Sequence, residues 1–533
     1  MPADVIFRNG SIYIEPGVRA EALAIRGGQV LAAGSESEVM HTLGPGTRVI
    51  DLAGRAVVPG LTDSHLHLLA HGLALQDVDL GTAADLPEAL ARIRQRASAL
   101  PEGEWILARG MREDRWPEGR LPTRRDLDQV APRHPVVVLR ACLHVCVANT
   151  TALQKAGITP ETADPPGGQI DRDEAGKPTG VLREMAVELV TKQIPPPTFA
   201  QMRAALAAAV QDAARHGITE VHSDDVRQAG NFDTAWRLWN TVAGPEAFPL
   251  RAYLLVSWEA YEEYRESGLK RGDGNGWVRA GPVKLFADGS LGGRTALLRE
   301  PYADAPHSRG IAVLPPAELS AFVARCHRDG HQVACHCIGD EAIDRFLDAV
   351  EAADRQHPRP DHRHRVIHAL VCPPDLQRRM AGLGVVADIQ PRFIPSDASF
   401  FEDRLGPDRA RWFGPWNSLI RLGIPCCGGS DCPVEPLHMP WHLHAARTRQ
   451  GLDGTPPEGW NPSERLSVTE ALALYTTGAA FASFAEQRRG RLLPGMDADL
   501  VVLDRDPHRA APGELKDLQI HLTLVGGRVA YEA

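Results

Sequence analysis

Hydrophobic positions change their period twice along this chain. Near the N-terminus short apolar runs alternate with turn signals. Val5-Ile-Phe7 and Ile12-Tyr-Ile14 flank Asn9-Gly10, and Leu23-Ala-Ile25 and Val30-Leu-Ala-Ala33 flank Gly27-Gly28. Each pair carries the mark of a β-hairpin. The C-terminus repeats the pattern, with Ala498–Leu503, then Ile520–Val525 and Arg528–Tyr531 on either side of Gly526-Gly527. Two marginal β segments at opposite ends can each bury a face by packing together. The pattern predicts one small β-sandwich made from residues 1–56 and 488–533.

Between these ends the period lengthens to that of helices, interrupted by short strand-like runs. Met202, Leu206, Ala209, Val210 and Ala213 line one face of a helix over Phe199–His216, which Gly217 ends. Strand-like runs occur at Ala56–Val58 with its continuation, Ile218–His222, Arg251–Val256, Pro282–Phe286, Gln332–His336, Arg365–His368, Val385–Ile389 and Ile424–Cys427. Helical segments such as 316–329, 340–355 and 469–483 separate most of them. Eight β/α repeats predict an α/β fold, a TIM-type (β/α)8 barrel over 57–487, whose functional side chains sit at the C-terminal strand ends. An α+β insert of about 76–198, after the first barrel strand, breaks the rhythm. It carries a helix (Leu86–Leu100), a strand (Val136–Leu139) and loops such as Asp164-Pro-Pro-Gly-Gly168. Its length suits a lid over the barrel mouth, with an oligomerisation or stability element as the alternative.

Composition narrows the partners. Apolar residues make up 43% and charged residues 24%, as in soluble globular proteins. A net charge of -10 without a long basic run argues against nucleic acid or an anionic membrane as the partner. No apolar stretch reaches the ~20 residues of a membrane span, and Met1-Pro-Ala-Asp4 opens without the basic region of a signal peptide. The nine cysteines lack zinc-ribbon spacing, and Cys335-His-Cys337 and Cys426-Cys427 are too tight for ordinary disulfides. A reduced cytoplasmic setting is expected. The β-sandwich and the insert each offer a surface for a homodimer.

Candidate chemistry gathers at the strand ends. Pro59-Gly-Leu-Thr-Asp-Ser-His65-Leu-His67 places two imidazoles on one face of an extended strand. Such a pair can chelate a metal ion, or be two ordinary histidines. His336, His368 and Asp431 recur at the ends of the fifth, sixth and eighth candidate strands. Taken singly, each reads as a satisfied histidine or a turn aspartate. Together the five form a ring around one barrel mouth. Trp116 and His144 in the insert, Asp225 after the second strand and Arg294 after the fourth are candidates to line a substrate pocket, or are structural.

These motifs, with Val283-Lys-Leu-Phe-Ala-Asp-Gly-Ser290, Arg294-Thr-Ala296 and Gly490–Val502, resemble the amidohydrolase superfamily of metal-dependent hydrolases. Within it, they resemble the YtcJ-like branch that includes N-substituted formamide deformylase. The insert's Arg124-Arg-Asp-Leu-Asp128, His144, Asn149 and Gly180–Glu184 look like that branch too. The resemblance adds Lys284 to the ligands, as a carbamate bridging two ions; a lysine paired with a carboxylate such as Asp288 is the alternative. It implies a binuclear centre, with Zn2+ suited to the nitrogen-rich set and manganese or iron as the alternatives. His65, His67 and Asp431 would hold one ion, and His336 and His368 the other. The implied reaction cleaves a non-peptide C–N bond, of amide or N-formyl type, in a small molecule. A metal-bound hydroxide would attack, with Asp431 as general base and then acid. Deamination, or opening of a cyclic amide or lactone, is the alternative at the same site. A non-catalytic metal-binding scaffold would be expected to have lost ligands, and every ligand is present.

Overall fold

The computed structural model describes residues 1–140, 145–398 and 400–533. The chain forms two compact units, Met1–His71 with Leu206–Ala533, and Gly72–Ala205.

The first unit contains eight parallel strands: β1 (Leu61–Leu66), β2 (Ile218–Ser223), β3 (Arg251–Ser257), β4 (Val278–Phe286), β5 (Val333–Cys337), β6 (Arg365–His368), β7 (Val386–Ile389) and β8 (Cys426–Gly428). Each pairs with the next in chain order, from β1 to β8. The result is a nearly closed parallel barrel sheet. No ladder joins β8 to β1 among the described residues. Instead, backbone bonds from the loop after β8 span the gap. Asp431 N–H donates to the His65 carbonyl at 2.7 Å, and His67 N–H donates to the Cys432 carbonyl at 2.8 Å.

Helices follow the strands because their apolar residues recur at helical spacing. Asp340–Gln356 buries Ile343, Phe346, Leu347 and Val350, each worth about 1.5–3 kcal/mol relative to exposure. Phe199–Arg215 matches the helix expected from sequence. The expected helix at 469–483 is instead Val468–Ala473, a π-turn over Leu474–Gly478, and Ala479–Ala482.

One strand assignment is corrected. Ala56–Pro59 does not begin the barrel; it pairs with Leu500–Leu503 and with Val5–Glu15 in a separate eight-stranded sheet. The chain changes sheets at Gly60, where a Cβ would lie 2.3 Å from Thr219 Oγ1 and 3.0 Å from Asp499 Cβ. Only glycine allows so close an approach. This second sheet takes strands from both chain ends, in the order Arg528–Glu532, Ile520–Val525, Leu500–Leu503, Ala56–Pro59, Val5–Glu15, Val18–Arg26 and Gln29–Gly34, with Arg48–Asp51 also paired to Val5–Glu15. Phe7, Leu23, Val57, Leu500 and Leu524 share its core.

The second unit has its own six-stranded sheet, ordered Gly168–Arg172, Pro178–Glu184, Val145–Ala148, Val136–Arg140, Ile106–Met111 and Val78–Asp79. Helices Leu86–Ala99 and Arg124–Val130 pack with it around Ile93, Leu127, Val136 and Val138.

A buried ionic cluster ties the barrel to the C-terminal segment. Glu220 on β2 accepts from Arg489 at 2.7 Å and Arg279 at 2.9 Å, while Arg251 meets Asp499 at 2.7 Å. Burial pushes the Glu220 carboxyl up, but the guanidiniums of Arg489 and Arg279 outweigh it and hold its pKa down to about 2, below the ordinary 4.5. Its contribution to stability is therefore complete above pH 4.5 and lost as the pH falls toward 2. Glu220→Gln leaves buried cations uncompensated and is expected to cost about 3–5 kcal/mol in denaturant unfolding. The variant should also lose less stability than the parent between pH 4.5 and 2. Equal acid profiles for the two proteins would contradict this account.

Candidate metal centre

The C-terminal ends of the barrel strands bring six side chains together. On β1 the i, i+2 spacing points His65 inward, with His67 one residue beyond the strand. Lys284 projects from β4, His336 from β5 and His368 from β6, and Asp431 from the loop after β8. His65 Nε2 and His67 Nε2 lie 3.4 Å and 3.3 Å from Asp431 Oδ1. These three residues offer donor atoms all within 4.8 Å of one another. Lys284 Nζ is 3.0 Å from His65 Nε2, and His336 Nδ1 is 2.9 Å from His368 Nε2. The His65 and His368 rings are 5.7 Å apart, edge to face. The geometry thus joins all six residues expected from sequence.

Outer partners fix three of the rings and leave the inward nitrogens of His336 and His368 available as lone-pair donors. His67 Nδ1 is 2.9 Å from the Asp224 carbonyl, His336 Nε2 is 3.0 Å from the Gly289 carbonyl, and His368 Nδ1 is 2.7 Å from Gln390 Oε1. A carbonyl can only accept, so each outer nitrogen carries a proton. At His336 and His368, which burial keeps neutral, the inner nitrogen is then a bare lone-pair donor, whereas the inner nitrogen of His67 donates to Asp431. Metal-binding histidines are commonly held this way.

Electrostatics favours the same reading. Burial, reinforced by neighbouring cationic groups, pulls His65 and His336 well below the usual imidazole pKa and His368 to about 4. These rings are neutral and able to ligate. At His67 burial acts downward too, but the hydrogen bond and charge of Asp431 outweigh it and raise the pKa to about 9. That proton sits where a cation would neutralise Asp431 instead. Burial lowers the Lys284 ammonium against the pull of Asp224, Asp431 and Asp388. The donor set therefore fits divalent metal: nitrogen and oxygen atoms converging on one another, three imidazoles neutral, and a carboxylate whose charge is met by a replaceable proton on His67.

Two aromatic rings wall the site. Phe393 stacks on His368 at 5.6 Å, and Phe286 lies 5.2 Å from the His336 ring and 4.9 Å from Lys284 Nζ. Arg227 covers the Phe286 ring at 4.5 Å and pairs with Glu259 at 2.6 Å. Asp224, Gln390, Phe286 and Phe393 are absent from the sequence-based set. Their signal was position alone, at or just beyond the ends of β2, β7, β4 and β7.

The proposed pocket residues do not join the ring. Trp116 is buried in the core of the second unit, its indole donating to the Ala83 carbonyl at 3.0 Å. Asp225 is buried, with Leu69 N–H, Ser223 Oγ–H and Trp239 Nε1–H all directed at its oxygens. Arg294 adopts φ +54° and pairs with Asp304 at 2.8 Å. His144 lies outside the described residues.

A buried ring of histidines with an aspartate at the mouth of a parallel barrel defines a metal-dependent hydrolase. The chain belongs to the amidohydrolase family, whose model matches residues 48–531. It is 37% identical over 531 residues to YtcJ of Bacillus subtilis (strain 168), covering 99% of each chain. It is 31% identical to the N-substituted formamide deformylase of Arthrobacter pascens, covering 96% of this chain and 95% of that one. A solved structure of an uncharacterized metal-dependent hydrolase from Pyrococcus furiosus matches with a TM-score of 0.79 at 31% identity, over 95% of this chain and 100% of that one. The protein is an enzyme acting on carbon–nitrogen bonds other than peptide bonds. No helix among the described residues is long and apolar enough to cross a membrane.

Gly429 holds the approach of the two seam strands, because a Cβ there would lie 2.7 Å from His65 N and 2.8 Å from His65 O. Gly429→Ala is expected to push the Asp431 loop away from β1, at a cost of about 1–3 kcal/mol. Circular dichroism should change little while bound metal falls in elemental analysis. Full metal retention would contradict the seam's role.

Proposed function

We propose that the enzyme hydrolyses the C–N bond of an amide or N-formyl group in a small molecule. The observation that carries this reading is the convergence of His65, His67, Lys284, His336, His368 and Asp431, with outer partners leaving the inner nitrogens of His336 and His368 unprotonated. His65, His67 and Asp431 would hold one divalent ion, His336 and His368 a second, and a carbamate on Lys284 would serve both. Zinc suits so many nitrogen donors. Bound there, the ions would polarise the substrate carbonyl and lower the pKa of water.

The chain's own residues supply the rest. The buried Lys284 amine, its pKa lowered by desolvation, can add carbon dioxide, losing one proton to give an anionic carbamate. Asp431 Oδ1, within 3.4 Å of both His65 and His67, takes the proton of the attacking water and returns it to the departing nitrogen. Water oxygen bonds to the carbonyl carbon, the C–N bond breaks, and the products are a carboxylic acid and a free amine. Phe286 and Phe393 favour an apolar body around that amide. A neutral substrate also suits a net charge of -10 and a mouth whose Arg227 and Arg294 already pair with acids. The end-strand sheet or the insert would support a homodimer. Buried thiols at Cys335 and Cys337 flanking His336 favour a reducing cytoplasmic setting.

Asp431→Asn is expected to cut kcat by about 10²–10⁴-fold while largely sparing bound metal. Persistent hydrolysis in that variant would remove Asp431 from its role. In a screen of N-formyl amines, N-acyl amino acids and cyclic amides, the parent should release amine from linear substrates, lose activity to a chelator, and regain it with Zn2+. Turnover confined to cyclic amides, or ammonia release from heterocycles, would favour the other chemistry.

A further inference from the structure

The barrel interior directly beneath the ring holds charges that the reaction does not use. Arg365 on β6 and Asp388 on β7 are both fully buried, at depths where barrels usually carry Val, Ile and Leu. Taking an ion pair out of water is costly unless its remaining hydrogen bonds are satisfied. Here they reach specific places. Arg365 Nη2 donates both to Asp388 Oδ2 and to the Ser64 carbonyl, and Ser64 Oγ donates to Asp388 Oδ1 at 2.7 Å. Arg365 Nη1 also approaches His222 Nδ1 at 3.3 Å.

These contacts join the strands that carry opposite halves of the ring. Ser64 immediately precedes His65. Arg365 lies three residues before His368 on the same strand. The Asp388 carbonyl accepts from Gln390 Nε2 at 3.2 Å, and Gln390 in turn accepts from His368 Nδ1. His65, His67 and Asp431 are independently tied together by the seam bonds, and by Asp63 Oδ1, which accepts from His65 N–H at 3.2 Å and Ser430 N–H at 3.0 Å. Beside the sheet ladder and the edge-to-face contact of the two rings, Arg365, Asp388 and Ser64 give a hydrogen-bonded side-chain route across the barrel interior from the His65 strand to the His368 strand. The one half is held by the seam, and this buried triad bridges it to the strand that carries His368.

We propose that Arg365, Asp388 and Ser64 are positioning residues that set the separation of the two half-sites, so that their removal weakens the ion at His336 and His368 and spares the one at His65, His67 and Asp431. The proposal rests on the two-ion reading above.

The test compares the full-length parent, the paired replacement R365M/D388L and the milder S64A, each loaded with Zn2+ in bicarbonate. Chelator competition gives the affinity of each ion, elemental analysis the number per chain, and circular dichroism with thermal unfolding reports the fold. The paired replacement removes both charges at once, leaving neither ion unpaired. Folded R365M/D388L should bind its first ion as the parent does and its second about 10–100-fold more weakly, the range seen for outer residues around metals. S64A, which removes a single hydrogen bond, should shift the second ion in the same direction by less. A purely structural role would lower the unfolding temperature and leave both affinities alone; that result overturns the proposal. Should the double variant not fold, S64A decides, and an unchanged second-ion affinity refutes the inference. A parent that saturates at one ion sinks the two-ion reading itself, and the proposal with it, and this is visible in the control before any variant is compared.

Discussion

Two backbone hydrogen bonds across the open edge of the barrel sheet hold the rest of this structure in place. Asp431 N–H to the His65 carbonyl, and His67 N–H to the Cys432 carbonyl, join the first strand to the loop after the last. A parallel sheet of eight strands leaves two edges, and unpaired backbone groups at a buried edge are costly. The chain satisfies them at the position where His65, His67 and Asp431 meet. Closing the fold and assembling the His65, His67 and Asp431 cluster are therefore one event. Gly428 and Gly429 make it sterically feasible, since side chains there would strike Tyr475 and the His65 backbone.

The same economy explains two unusual backbone conformations. His368 and Asp431 both have positive φ, +75° and +58°, a region that costs most residues about 1–3 kcal/mol. Each is held by surrounding bonds: His368 through Gln390 and the Ala369 N–H to the Cys337 carbonyl, Asp431 through the seam. Strain at these two positions is tolerated because packing and hydrogen bonding over-determine them. It also aims both side chains back over the barrel mouth rather than along the strand.

Much of this was legible from sequence, for physical reasons that differ by feature. The eight strand-like runs could be read because each is a short apolar segment between helices of clear 3.6-residue period. The convergence of His65, His67, His336, His368 and Asp431 could be read because a histidine or aspartate at a barrel strand end has no obvious packing use. Lys284 came only through resemblance, since nothing in a lone lysine announces a bridging group. Ala56–Val58 was misplaced because it is apolar and adjacent to β1; only the contacts at Gly60 reveal that the chain crosses between sheets. Trp116 and Asp225 are chemically versatile residues whose hydrogen bonds are consumed locally by Ala83, Leu69, Ser223 and Trp239. Gln390, Phe393 and the Arg365–Asp388 pair act through neighbours distant in sequence, which one-dimensional patterning does not carry.

The account stands on the claim that the six residues act as one binuclear ligand set with Lys284 as its bridge. Metal content per chain, measured for the parent and for Lys284→Ala after reconstitution with Zn2+ and bicarbonate, tests this most directly. Two ions in the parent and no more than one in the folded variant are the result the account predicts. Two tightly held ions in Lys284→Ala, or none in the parent, would contradict it.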